Sequence, residues 1–210
     1  MEQIGWMHFL GRAICHQIPE RSFIINGVQM PVCIRDTGIY LGIFSSIIIL
    51  FLMKKHKANM IPNRFVSLSL LLFMFPMAFD GITSYLDWRE TNNFLRLTTG
   101  IPFGAVLPMF VVPLLNIKKN QKESEQINPT FRDYFIAIIV ASLLALFFYT
   151  SLIHGVILSV FLLSIIILWF TLIIMLVFKL TRWDTFSRVR ILASGGISMI
   201  VLVTLSFLFQ

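Results

Sequence analysis

Charge is scarce in this 210-residue chain: Asp, Glu, Lys and Arg together make up 13% of it, against 57% apolar residues. A mean hydropathy of +0.85 lies outside the range of soluble globular domains, so that class is excluded. Cysteine is scarcer still. The two that are present, Cys15 and Cys33, form neither the CxxC of a thioredoxin-like redox site nor a full CxxC…CxxC zinc pattern. An internal repeat and a low-complexity tract are also missing, apart from the apolar bias itself. The first fourteen residues, MEQIGWMHFLGRAI, carry only a short apolar run that Arg12 interrupts, so a signal-peptide core is not expected there. A formal charge of +7 would suit nucleic acid, but most of it falls in short loops between apolar runs, which points to membrane orientation and to no nucleic acid.

What is present is a series of apolar runs long enough to cross ~30 Å of hydrocarbon. The expected fold class is all-α: a polytopic membrane helix bundle of about six transmembrane helices plus an N-terminal interfacial segment, with Trp6, Phe9 and Leu10 facing lipid. The runs are Ile39–Met53, extended back to between Cys33 and Asp36; Phe65–Tyr85; a third from Thr98 or Thr99 to just before Lys118; Tyr134–Leu152; Val156–Phe178; and Ile191–Leu208. In domain terms this gives an N-terminal segment over 1–37, a three-span core over 38–117, a loop over 118–133 and a three-span apolar scaffold over 134–210. The loops at 54–64, 118–133 and 179–190 hold four basic residues each, twelve of the seventeen in the chain, and are expected to be cytoplasmic. Both termini and the polar residues then fall on the extracytoplasmic side of a cell membrane.

Those polar residues crowd into the first half. Residues 15–40 read CHQIPERSFIINGVQMPVCIRDTGIY. Cys33, Asp36 and Tyr40 share a helix face at i, i+3 and i+7, and Gly38 and Gly42 permit close helix approach beside them. Cys15, His16, Cys33 and Asp36 supply the thiolate, imidazole and carboxylate donors that suit zinc. A Cys15–Cys33 disulfide and a redox pair are the rival readings of the same thiols. Asp80, followed by Thr83, Ser84 and Asp87, forms one polar stripe near the end of the second span; an acid at that depth is either functional or ion-paired with Arg35, Arg89 or Arg96. Arg21, Arg35 and Arg96, with Asn93 and a helix start at Thr98 or Thr99, suit an anionic headgroup. Asn92 and Asn93 are candidates for capping that helix or binding the same ligand, and His8, His56 and His154 are read as incidental. The last three spans carry almost no ionisable group and read as scaffold or oligomer surface.

These motifs resemble a family of bacterial and archaeal membrane proteins defined only as a domain of unknown function. The shared pattern is CH-x-x-PERSF, G-x-x-x-PVC-x-R-x-TGIY-x-G, D-G-x-T and N-x-LR-x-x-TG, carried here by Cys15–Phe23, Gly27, Pro31–Cys33, Arg35, Thr37–Tyr40, Gly42, Asp80, Gly81, Thr83, Asn93, Leu95, Arg96, Thr99 and Gly100. The resemblance covers about residues 12–105. It implies a multi-span membrane protein and no particular reaction. It also implies that many members carry cysteine where this chain has Asp36, an exchange that zinc tolerates and a CxxC redox site does not.

The expected function is therefore a metal-assisted enzyme on the lipid bilayer, acting on a lipid or lipid-linked substrate that bears phosphate. Zinc would sit on Cys15, His16, Cys33 and Asp36. Asp80, Asp87 and Tyr40 would do the acid–base work, and Arg21, Arg35, Arg96, Thr99 and Asn93 would bind substrate. The alternatives are a small-solute or ion transporter through Asp80, and a non-catalytic immunity, assembly or sensing protein stapled by a Cys15–Cys33 disulfide.

Overall fold

A computed structural model describes residues 5–86, 88–117, 127–181 and 187–208, with side chains at 187–190 excluded. Seven helices and one hairpin follow in order: α1 (Gly5–Arg12), β1 (Ser22–Ile25), β2 (Val28–Cys33), α2 (Ile34–Leu52), α3 (Arg64–Tyr85), α4 (Asn93–Asn116), α5 (Phe131–Thr150), α6 (Gly155–Leu180) and α7 (Ser187–Leu208). Helices α2 to α7 are long and apolar enough to cross a membrane. The shortest, α2, has 19 residues, or about 28 Å of helix at 1.5 Å per residue. The six expected spans are all present.

The chain folds into two compact units, one made of Met1–Thr37 with Ala145–Gln210 and the other of Gly38–Leu144. In the first, α1 and β2 lie against α6, and α1 against α7. Asn26 and Gly27 both have positive φ, 52° and 79°, the left-handed geometry of the two-residue turns that match strand twist. That turn pairs Ile25 with Val28. The ladder then shifts register between Ser22↔Cys33 and Ile24↔Gln29, which leaves Pro31, with no N–H to give, in the irregular stretch. Ile25, Val28, Met30 and Val32 are buried along with Leu158, Leu162 and Ile166 of α6. Gly155 is required at the start of α6, because a Cβ there would sit 2.5 Å from the Ile25 carbonyl oxygen.

The second unit is built on close backbone contact between α2 and α4. A Cβ on Gly104 would stand 1.9 Å from the Ile39 oxygen, and one on Gly42 would stand 2.3 Å from the Ile101 oxygen. Ile49, Leu50, Val66, Leu70, Val106, Met109 and Tyr134 form its core. Thr130 and Asp133 open α5 as a capping box, with the Thr130 N–H donating to Asp133 Oδ2 at 2.7 Å. Lys55 completes that carboxylate's shell at 2.6 Å.

One expectation needs correction. The third span starts at Asn93, with Asn92 Oδ1 capping the Leu95 N–H at 2.7 Å, and not at Thr98 or Thr99. On α1, Trp6 is exposed, and Phe9 packs edge-on against Phe207 at 5.1 Å.

Candidate metal centre

The chain leaves α1 through a tight turn in which the Cys15 N–H donates to the Gly11 carbonyl at 3.1 Å. Gly11 lets that turn press on β2, since a Cβ there would overlap the Pro31 carbonyl. Gln17 then takes a left-handed conformation, φ 54°, which L residues other than Asn, Asp and Gly adopt only when surroundings hold them there. Its side chain is what holds it. Nε2 donates to His8 O at 2.6 Å and to Pro31 O at 2.9 Å, and Gln29 Nε2 donates to the Gln17 carbonyl at 2.9 Å. His8, read from the sequence as incidental, is buried and bonds Gln29 O through Nε2 at 3.1 Å.

The left-handed turn aims the Gln17 backbone N–H at Cys15 Sγ. From the other side the Cys33 N–H donates to the same sulfur at 3.1 Å. Cys33 ends β2 and immediately precedes α2, so Asp36 lies within the same helical turn, and Cys33 Sγ donates to Asp36 Oδ2 at 3.2 Å. Thr37 Oγ1 closes the turn onto the Cys33 carbonyl at 3.1 Å. Cys15, Cys33 and Asp36 thereby offer two sulfurs and one oxygen, all within 4.8 Å of one another. Donors on one tetrahedral zinc stand roughly 3.5–4 Å apart, given Zn–S near 2.3 Å and Zn–O near 2.1 Å, so the three close on an ion with shifts of about 1 Å.

Both cysteines are free thiols, and Cys15 is buried. The Cys33 side chain beside it, together with burial, pushes the Cys15 thiol well above the usual thiol range, so a bound metal would have to displace its proton.

Of the four expected ligands, the structure brings together Cys15, Cys33 and Asp36; His16 is exposed and stands outside the group. Arg21 is exposed and Arg35 half-buried. In the second unit Tyr40 is buried, and Asp80, 2% exposed, accepts from Arg89 Nη2 at 2.9 Å, which is one of the expected ion pairs. Thr83 and Ser84 are buried with Asp80, and Asp87 lies outside the described residues. Arg96 is buried in the first turns of α4, and Asn93 is its first residue. Thr99 lies inside the helix with Oγ1 bonded to Leu95 O at 2.8 Å. His154, also read as incidental, caps α6 through Nδ1 and the Val156 N–H at 3.3 Å.

Residues 15–110 match the family model described as predicted membrane protein DUF2085. An uncharacterised protein of Methanothermobacter thermautotrophicus is 38% identical over 109 residues, half of this chain and 91% of that protein. The chain belongs to this family. A second relative, an uncharacterised protein of Methanocaldococcus jannaschii, is 41% identical over 101 residues, 48% of this chain. The matched part spans 63% of that relative's length. No solved structure matches the chain. The stretch that carries the DUF2085 similarity begins at Cys15 and holds Cys15, Cys33 and Asp36, whereas α5 to α7 lie beyond it.

Proposed function

We propose that this DUF2085 protein is a membrane enzyme in which Cys15, Cys33 and Asp36 hold a zinc ion that acts on a lipid or lipid-linked, phosphate-bearing substrate from the extracytoplasmic side. The observation that carries the reading is the convergence of two sulfurs and a carboxylate oxygen within 4.8 Å, with Cys15 Sγ already taking backbone hydrogen bonds from Cys33 and Gln17. The Cys33 side chain and burial hold the proton on Cys15 and the Gln17 N–H only partly offsets them, so the metal would displace that proton on binding.

Three protein ligands are the complement of catalytic zinc, which keeps one position open, whereas structural zinc is closed by four. An ion there would polarise a substrate oxygen or bring the pKa of a bound water to about 7. Arg35, next to Asp36, supplies a fork for a phosphate or carboxylate group. The basic loops set the side of the membrane. The bilayer supplies the substrate class, since a centre at the head of a span meets molecules held in that bilayer.

Metal analysis of protein purified in detergent tests the reading. One zinc per chain is expected in the native protein and none in Cys33→Ala or Asp36→Ala, with helicity unchanged by circular dichroism. A metal-free preparation with a quantitative Cys15–Cys33 disulfide would replace the enzyme reading with that of a stapled, non-catalytic module.

A further inference from the structure

The two sulfurs of the centre differ in access. Cys15 is 8% exposed and sits behind the hairpin, under hydrogen bonds from two backbone N–H groups. Cys33, at the open end of β2, is only part-buried. Cys15 Sγ already lies 3.1 Å from the Cys33 backbone nitrogen, so rotation about the Cys33 Cα–Cβ bond is the movement needed to bring sulfur to sulfur. Both are anchored on ordered backbone, Cys15 by its turn onto Gly11 and Cys33 by the register pair with Ser22. The two sulfurs already lie within 4.8 Å of each other, so closure to a bond needs a short side-chain movement.

We infer that the centre is a thiol–disulfide switch in which Cys33 is the entry sulfur and Cys15 the resolving sulfur, so that a low-molecular-weight disulfide expels the metal in a fixed order. The inference rests on the zinc reading above. Cys33 sulfur attacks one sulfur of glutathione disulfide; the glutathione S–S bond breaks, and one glutathione thiolate leaves. Cys15 sulfur then attacks the Cys33–glutathione bond at Cys33, and the second glutathione thiolate leaves. Two protein sulfurs are oxidised, one glutathione disulfide is reduced to two thiols that take their protons from water, and zinc departs because Asp36 alone remains to hold it. The order follows from access: a bulky disulfide reaches Cys33, and only the small movement of Cys33 reaches Cys15.

The test treats zinc-loaded full-length protein in detergent with glutathione disulfide and follows zinc with a chromophoric chelator and cysteine state by mass spectrometry. Native protein is expected to release its zinc, lose two hydrogens in a Cys15–Cys33 bridge and recover both on reduction. Cys15→Ser should stop at a glutathionyl adduct on Cys33, and Cys33→Ser should leave Cys15 unmodified. Native protein that keeps its zinc, or that accumulates stable glutathione on Cys33 without closing, overturns the switch; modification of Cys15 in Cys33→Ser overturns the order. Both serine variants are nearly isosteric, and circular dichroism checks that they fold. Protein that never carries zinc defeats the enzyme reading instead, and metal release then has no meaning, whereas zinc-loaded protein with inert sulfurs defeats only the switch.

Discussion

Gln17→Leu removes the side chain that sets the turn at Cys15 and touches none of the three ligands. Its Nε2 gives two hydrogen bonds, to His8 O at 2.6 Å and Pro31 O at 2.9 Å. Each buried carbonyl left without a donor carries a desolvation cost of about 1–3 kcal/mol, so the unit should lose about 2–6 kcal/mol in all. Part of that loss falls on folding and part on the metal, because the same turn directs the Gln17 N–H at Cys15 Sγ. Partners that orient metal ligands typically contribute about 10–100-fold in affinity, or about 1.4–2.7 kcal/mol. Zinc affinity measured by competition with a chromophoric chelator should therefore weaken by about that factor. The sulfur-to-metal charge-transfer band of cobalt-substituted protein should move as the Cys15 sulfur loses its N–H. Gln17→Gly separates the two effects: glycine takes the left-handed φ of 54° freely, so less folding stability is lost while the weakened affinity remains. A folded Gln17→Leu protein with native zinc affinity and an unmoved cobalt band would refute the idea that this turn builds the site.

Three further outcomes follow from other parts of the chain. Because the Cys33 side chain and burial hold the proton on Cys15, metal binding must displace it, and zinc affinity should climb by up to about tenfold per pH unit for each proton released; a flat profile between about pH 6 and 8 would remove Cys15 from the ligand set. The sign is opposite for the metal-free fold, where a raised thiol pKa contributes stability that is complete below the unfolded value of about 8.5 and is lost as pH rises above it. Arg89→Ala withdraws a half-exposed guanidinium from the buried Asp80 and should cost about 1–3 kcal/mol in detergent unfolding, with Asp80→Asn in the same chain restoring much of it. Gly104→Ala drives a methyl to 1.9 Å from the Ile39 oxygen, where only backbone can yield, and should cost about 1–3 kcal/mol or more by the same measurement.

The six spans were legible because each is an apolar run of membrane length with a basic loop at one end, a signal that depends on composition and hardly on packing. The start of α4 was misplaced because Arg96 reads as a boundary charge; the structure buries it inside the helix, and the informative signal was Asn92, which caps the chain directly ahead of Phe94 and Leu95. The hairpin was legible and went unread. Asn26-Gly27 between SFII and VQMPVC is the strongest short hairpin signature there is, but the surrounding ions and cysteines make the stretch look like an irregular polar cap. Gln17 was not legible at all, since nothing in its neighbours along the chain demands a left-handed residue. That conformation is imposed by carbonyls on α1 and β2, which the sequence places nine and fourteen residues away.

The same distinction explains how the centre is made. Cys33 and Asp36 are one helical turn apart, so any helix starting at Ile34 holds them together, and their pairing is local and inexpensive in chain entropy. Cys15 is eighteen residues away and arrives only because three separate contacts agree: the Asn26-Gly27 turn folds β2 back, Gly11 lets α1 rest on Pro31, and Gln17 ties the connecting turn to both. A ligand delivered by that many non-local contacts adds affinity only while the hairpin is folded, so metal binding and folding of the N-terminal segment are linked in both directions. On the reading proposed above, oxidation of Cys33 onto Cys15 would replace the metal with a covalent bond across the same gap, exchanging one clamp for another while the contacts that hold the hairpin stay in place.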